Sequence, residues 1–237
     1  MQPPVALASL CGSVNDIVQF QIMRLLLTAL VLALALDPTK TLPKSYKLEF
    51  ENDTVRIVRV HYDAKAKLPE HEHPGGVTVY LYFNASPGVL FEHDDGVPIT
   101  RPAVQPGAIR IGAGPGEHHT VTNLAETPTD FIRILVKNTD TVIKNRPMTR
   151  IPPSMMEYEN PMMHVSRINV EPGTRTRLEA GAYPKLRIAW VPGQTEWKMA
   201  AKDGYRFLEK GTSEEFEVTG KLPMQLVTIE LRPLPKR

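Results

Sequence analysis

The sequence predicts an all-β protein, a sandwich or barrel of antiparallel sheet, and three observations carry that prediction. Apolar and polar residues alternate with period two from Leu36 onward, the pattern of half-buried strands. Prolines number 22 in 237 residues, about 9% against a usual level of about 5%. Proline breaks helix interiors and central strands alike, so this content forces short elements and excludes long-helix architectures. Finally, Gly- and Pro-bearing turns separate the apolar runs along the whole chain, as in sandwiches and barrels.

The N-terminal region stands apart. Leu25–Leu36 reads LLLTALVLALAL after Met23 and Arg24, too short for a membrane span of roughly 20 residues. Its proportions are those of a secretory signal, with Arg24 as the basic end and Ala33-Leu34-Ala35 as the small-residue cleavage site. Residues 1–22 fit poorly ahead of such a signal, so Met23 is the expected start. Residues 1–35 are thus expected to be an upstream extension plus signal peptide. The mature chain is expected to begin near Leu36 and to reside outside the cytoplasm, periplasmic or secreted, with no stable membrane span. A buried helix of the domain is the alternative. Cleavage would remove Cys11, the single cysteine, whose solitude already excludes a disulfide framework and thiolate-rich metal sites. With 28 Lys+Arg against 26 Asp+Glu, charge gives no argument for nucleic acid and leaves small molecules as partners. A homodimer is left open.

Val55–Tyr62 is β-branched and alternating, bounded by Asn52-Asp53, and predicts a strand. Val77–Phe83 follows, with Val77, Val79, Leu81 and Phe83 on one face, then Ala108–Ile111 and Phe131–Val136. The second half repeats the style at Met163–Val170, Leu186–Val191, Phe216–Val218 and Leu226–Leu231. The one helix expected after residue 36 lies near Glu196–Ala201. The halves are related in character: Val58, Val60 and Tyr62 match Val165, Ile168 and Val170, and Val121-Thr122-Asn123 matches Val218-Thr219-Gly220. Four prolines (Pro147, Pro152, Pro153, Pro161) mark 143–161 as a linker. Two β domains, 36–142 and 162–237, fit the usual domain size.

Six of the seven histidines fall between His61 and His119. Glu70-His71-Glu72-His73 places two imidazoles two residues apart, hence on one face of a strand. Neutral imidazole is the commonest metal ligand, and such a pair supplies two adjacent donors. Further on, a strand, a glycine turn at Gly112–Gly116 and a second strand carry His118 and His119. Antiparallel pairing would bring His119 against His71 and His73. His61, His93 and His164 read as solvated or packing residues. Trp190 and Trp197 read as core or rim. The methionine pairs 155/156 and 162/163 read as packing at a domain junction, although soft thioethers also suit copper.

An H-x-H on one strand, followed by a Gly/Pro turn and H-x-x-x-N (His119 to Asn123), resembles the two motifs of the cupin superfamily. The resemblance is good over residues 54–137 and faint over 162–232. It implies two double-stranded β-helix (jelly-roll) barrels, a bicupin with a degenerate second half. It implies one divalent transition metal (Fe, Mn, Ni, Cu or Zn) on His71, His73 and His119, with Glu117 and His118 in reserve. Counting forward from Gly107 lands on His118 as third ligand, whereas counting back from Asn123 lands on His119, which is preferred because spacing cannot slip within one strand. The family's Glu ligand is absent, since Val77 and Thr78 stand in its place. Parity counted from His73 makes Val77 the inward residue and sends Tyr80 and Tyr82 outward. Lys65 replaces a glycine of the motif. In the second half Arg177–Pro184 holds no histidine, and Phe216 aligns with His119. The resemblance implies a metal-dependent enzyme, dioxygenase-like or isomerase-like, acting on a small molecule. Its alternatives are a non-catalytic ligand- or metal-binding module and a purely structural double barrel.

Overall fold

Alternation along each strand decides which side chains line a barrel and which cover its back. The computed structural model describes residues 19, 37–94, 96–137, 146–191 and 204–232. The expected signal segment and the expected helix near Glu196–Ala201 lie outside these. The chain enters through a single helical turn, α1 (Pro38–Thr41), which the sequence reading missed. Asp37 caps it by accepting from Thr39 N at 3.0 Å, and proline occupies its first turn, where a missing N–H costs nothing.

The first half contributes β1 (Tyr46–Glu51), β2 (Val55–Tyr62), β3 (Lys67–His73), β4 (Gly76–Tyr82), β5 (Ser86–His93), β6 (Pro98–Val104), β7 (Ile109–Gly114), β8 (Glu117–Asn123), β9 (Thr129–Val136) and β10 (Arg146–Ile151). They form a six-stranded sheet, β1-β2-β9-β4-β7-β10, and a four-stranded sheet, β3-β8-β5-β6. The second half contributes β11 (Glu157–Asn160), β12 (Met163–Val170), β13 (Arg175–Leu178), β14 (Lys185–Trp190), β15 (Tyr205–Leu208), β16 (Glu214–Glu217) and β17 (Met224–Leu231). Its sheets run β11-β12-β17-β14-β15 and β13-β16. All described pairings are antiparallel.

The two orders are the same order. β11, β12, β17, β14 and β15 repeat β1, β2, β9, β4 and β7, while β13-β16 repeats β3-β8. One hydrogen bond aligns the repeats: Asn123 N donates to Ala66 O, and Val218 N to Thr174 O. The neighbouring bond differs, Lys65 N donating to Ala125 O and Gly173 N to Val218 O. Lys65 has φ 56° and Gly173 φ 75° at the same turn position, a left-handed conformation that favours glycine. The family's glycine is therefore replaced here without a change of turn. This register puts Val218 opposite Asn123, so the residue equivalent to His119 is Glu214, and Phe216 corresponds to Val121. The alignment expected from sequence was displaced by two residues because a Val-Thr pair is too common to fix register.

Within the stretch expected to be a linker, 143–161, the described residues from 146 on are built into both halves: β10 extends the first sheet beside β7, and β11 edges the second beside β12. The halves also share a core. Val77, Val79, Leu81, Ile132 and Ile134 on the back of the first sheet pack with Val165, Ile188, Trp190, Val227 and Ile229 on the back of the second. Gly107, at φ 79°, lets this happen, since a Cβ there would lie 2.9 Å from the Trp190 ring. Met163 is buried in the shared core and Met162 packs against it, whereas Met155 and Met156 are exposed.

Tyr80 and Tyr82 face inward, packing with Val60, Tyr62, Phe91 and Phe131 inside the first barrel, and Val77 faces the second half. Parity cannot be carried from His73 to Val77 because the chain turns between them, with Gly76 at φ 137°. β3 and β4 belong to different sheets. The inward residue nearest the family's Glu position is Thr78.

Candidate metal centre

A β-bulge aims the first two histidines. In the β3–β8 ladder Leu68 faces Val121 and His71 faces His119, so three steps on β3 match two on β8. The extra residue restores inward parity, and Leu68, His71 and His73 are all buried on one face. Pro69, which has no N–H to give a ladder, sits within the bulge. On β8, His119, Val121 and Asn123 alternate inward. The turns above cross closely: a Cβ on Gly75 would lie 2.7 Å from Gly116 N, so only glycine allows this approach.

One donor atom from each of His71, His73 and His119 lies within 4.8 Å of the others, and all three residues are buried. The ring centroids are 5.0 Å (71–73), 5.0 Å (71–119) and 5.3 Å (73–119) apart. His71 Nδ1 is 2.7 Å from the Pro69 carbonyl. A carbonyl only accepts, so the partner assigns the proton to Nδ1 and leaves Nε2 with its lone pair facing the cluster. The Tyr46 hydroxyl lies 2.8 Å from that Nε2 and 2.8 Å from the Tyr62 hydroxyl. Both nitrogens of His119 are buried with no hydrogen-bond partner.

These imidazoles are held neutral. Burial and neighbouring His71, His93, Arg101 and Arg133 push the His119 pKa down to about 2. Burial also lowers His73 well below its ordinary value, aided by Arg133 and the other two rings, and lowers His71. Burial holds Tyr46 firmly as the phenol. Three buried neutral imidazoles, one without a hydrogen-bond partner among the described residues, suit a first-row transition metal. A buried nitrogen left unpaired otherwise costs about 1–3 kcal/mol.

The reserves divide. Glu117 sits at the rim, its Oε2 3.9 Å from His119 Nδ1 and its Oε1 3.7 Å from Arg101. His118 points to the opposite face of the sheet, 2.7 Å from Asp94 and 3.8 Å from Glu70, as adjacent residues on a strand must. Counting forward from Gly107 was therefore misleading. Asn123 is a turn brace: its Nδ2 reaches the carbonyls of Asp63 (2.9 Å) and Tyr62 (3.2 Å), and its Oδ1 accepts from Ala125 N. His93, read from sequence as a packing residue, stacks on Phe91 with its ring centroid 5.3 Å from His119. His61 binds Asp130 at 2.7 Å away from the cluster. Sequence reasoning missed Tyr46, which no motif marks, and Arg133, which reads as an ordinary strand residue.

No protein-family model matches the chain, and no curated protein sequence matches it. Solved structures do. Escherichia coli YhhW superposes with a TM-score of 0.52 at 11% identity, covering 81% of this chain and 91% of that one. The nickel(II) complex of the same bacterial pirin gives 0.53 at 11% identity, over 80% and 91%. A cupin domain from Bordetella pertussis covers 39% of this chain and 91% of its own, at 20% identity and a TM-score of 0.34. Repeated strand order within the chain and its superposition on a bacterial pirin lead to one conclusion: the chain folds as two jelly-roll barrels, the fold of YhhW.

Proposed function

We propose that this is a metal-binding cupin protein holding one divalent transition metal on His71, His73 and His119, and that the site takes a small molecule. The carrying observation is the buried, neutral three-imidazole cluster with both His119 nitrogens unpaired. YhhW, of similar fold, is known with nickel(II), one of the iron, manganese, nickel, copper and zinc ions that the donor set would accept. When bound, the metal supplies Lewis-acid polarisation of a substrate oxygen, or electron transfer if it is redox-active. The chain's own part is positional. The Pro69 carbonyl fixes the His71 tautomer, Phe91 and Tyr46 wall the rings, and neutral donors leave the metal's positive charge uncancelled.

An enzyme of dioxygenase-like or isomerase-like type is the reading favoured by an open three-donor site. A non-catalytic binding module is favoured by one observation: Glu117, the carboxylate lining the cavity, is engaged by Arg101 and so is not free to act as a base. We also infer export with cleavage near Ala35. Its support is the apolar Leu25–Leu36 run, and Asp37 immediately beyond it is already folded, capping α1 and bonding Arg56 at 2.6 Å. An N-terminus at or near Leu36 in secreted protein would agree, and an intact cytoplasmic chain would refute export.

The decisive experiment is metal content of the mature chain against His71→Ala/His73→Ala. Stoichiometric metal in the parent, with affinity reduced by more than about 100-fold in the variant, is expected, because even outer-shell changes cost about 10–100-fold. Absence of metal from both proteins would overturn the proposal. Turnover or oxygen consumption across a substrate panel then separates enzyme from binder.

A further inference from the structure

Arg133 is a buried charged residue of the first barrel's interior that meets no anion among the described residues. It lies on β9 between Val58 of β2 and Tyr80 of β4, with parity opposite to Ile132 and Ile134, so it faces inward. It is only 6% exposed. Among the described residues it has no hydrogen-bond or ion-pair partner, and its Nε is buried and unpaired. Its neighbours differ. Arg101 pairs with Glu117 at 3.7 Å and lies over the Phe91 ring at 4.2 Å. Arg110 donates to the Tyr82 hydroxyl and the Pro102 carbonyl, and Arg56 holds Asp37. A buried cation without an anion costs several kcal/mol.

What Arg133 faces is space. It lines a cavity of about 110 Å³ with Thr78, Tyr80, Gly112, Glu117 and Met148, and on its other side a narrow cleft shared with Tyr46 and His73. Arg133 therefore lines both the cavity and the cleft that reaches His73. Its positive charge also acts on His71, His73 and His119.

The second barrel shows the same arrangement completed. Thr228 pairs with Ser166 and Arg187 as Arg133 pairs with Val58 and Tyr80. The guanidinium is thus moved to the neighbouring strand, on Arg187. There it meets Glu214, at the place of His119, with Nε to Oε2 2.7 Å and Nη2 to Oε1 3.0 Å. One barrel carries its own carboxylate against the guanidinium, while in the other the carboxylates nearest Arg133 are engaged elsewhere, Glu117 by Arg101 and Asp37 by Arg56.

We propose that the first barrel's ligand is a small organic carboxylate, its carboxylate bound by the Arg133 guanidinium and its remainder extending toward the His71/His73/His119 centre. A planar guanidinium matches a carboxylate in two parallel hydrogen bonds. The cavity is well below the roughly 300–1,000 Å³ of drug-sized pockets, so the acid is of a few carbon atoms. The proposal rests on the metal reading for the ligand's second anchor, but not for its first.

The test is calorimetric titration of metal-loaded protein with pyruvate, glycolate and succinate, and with uncharged methyl pyruvate, using the parent and Arg133→Met. Metal content is measured on each sample. The expected result is that at least one acid binds the parent, at least tenfold more weakly binds the variant, and binds better than the ester. Arg133→Met should keep its metal and unfold at no lower urea concentration, since it removes an unpaired buried charge. Failure of all three acids to bind the parent would overturn the proposal. So would equal binding by the variant, equal binding of the ester, or a variant that unfolds at lower urea, which would make Arg133 a structural residue. A parent that binds an acid through Arg133 yet holds no metal sinks the metal reading alone; one that holds metal but binds no acid sinks this proposal alone.

Discussion

Two barrel interiors built on one strand order have opposite chemistry. In the first, three imidazoles converge uncharged beside a cavity. In the second, a buried ion pair, Arg187–Glu214, joined by Arg206 at 3.2 Å and lying against Phe216 at 4.8 Å, fills the centre. A fold of this kind needs its interior satisfied, and it can be satisfied by the protein or by something the protein binds. At this ion pair the second barrel supplies both partners itself.

The largest effect separating the two interiors should be acid sensitivity. His71, His73 and His119 have folded pKa values below the ordinary 6.5. As pH falls, the unfolded chain takes up protons that the folded metal-free protein refuses. Stability from these groups is therefore present above pH 6.5 and lost below it, through a window reaching toward the value of about 2 for His119. Each refused proton steepens the loss by up to about 1.4 kcal/mol per pH unit. Urea midpoints of metal-free protein at pH 7.5 and pH 5 measure this, and flat behaviour would contradict a neutral cluster. Replacing His119 by Leu should flatten the slope, while changes in the second barrel should leave it alone.

Next in size is Glu214→Ala, which removes the carboxylate bonded to Arg187 and should cost up to about 3–5 kcal/mol in urea unfolding with metal uptake unchanged. An Arg187→Met/Glu214→Leu double variant should be close to neutral, because apolar replacement of a buried pair often is. If Glu214→Ala abolished metal uptake in folded protein, the two interiors would not be independent.

The smallest effect concerns Tyr46. Its hydroxyl caps the same His71 lone pair that a metal would take. Tyr46→Phe should destabilise metal-free protein by about 1 kcal/mol and tighten metal binding by up to about tenfold through linkage. Weaker metal binding in this variant would show instead that Tyr46 supports the loaded site.

Much of this was legible in the sequence where one strand held the whole signal. β2 and β12 were read with their exact limits because alternation and β-branching run unbroken through both. His71, His73 and His119 were legible as a group because antiparallel pairing joins their strands. What was missed lay where a pattern crosses a turn or another strand supplies the partner. Parity did not survive Gly76, and the bulge at Pro69 is seen only against β8. β6, with Pro98 and Pro102, reads as loop, yet an edge strand of the four-stranded sheet tolerates both. Arg133 and Tyr46 belong to ordinary alternating strands, and only the barrel's closure makes them neighbours of the histidines.

The shared core has a consequence for inheritance. Trp190, seated against Gly107 and Phe83, and the apolar face around it are what the first barrel's back sheet rests on. A copy that lost its ligands would still be retained for that face, so selection would act on the second barrel's exterior while its centre was free to change. The half without the histidine cluster is the floor under the half that has it.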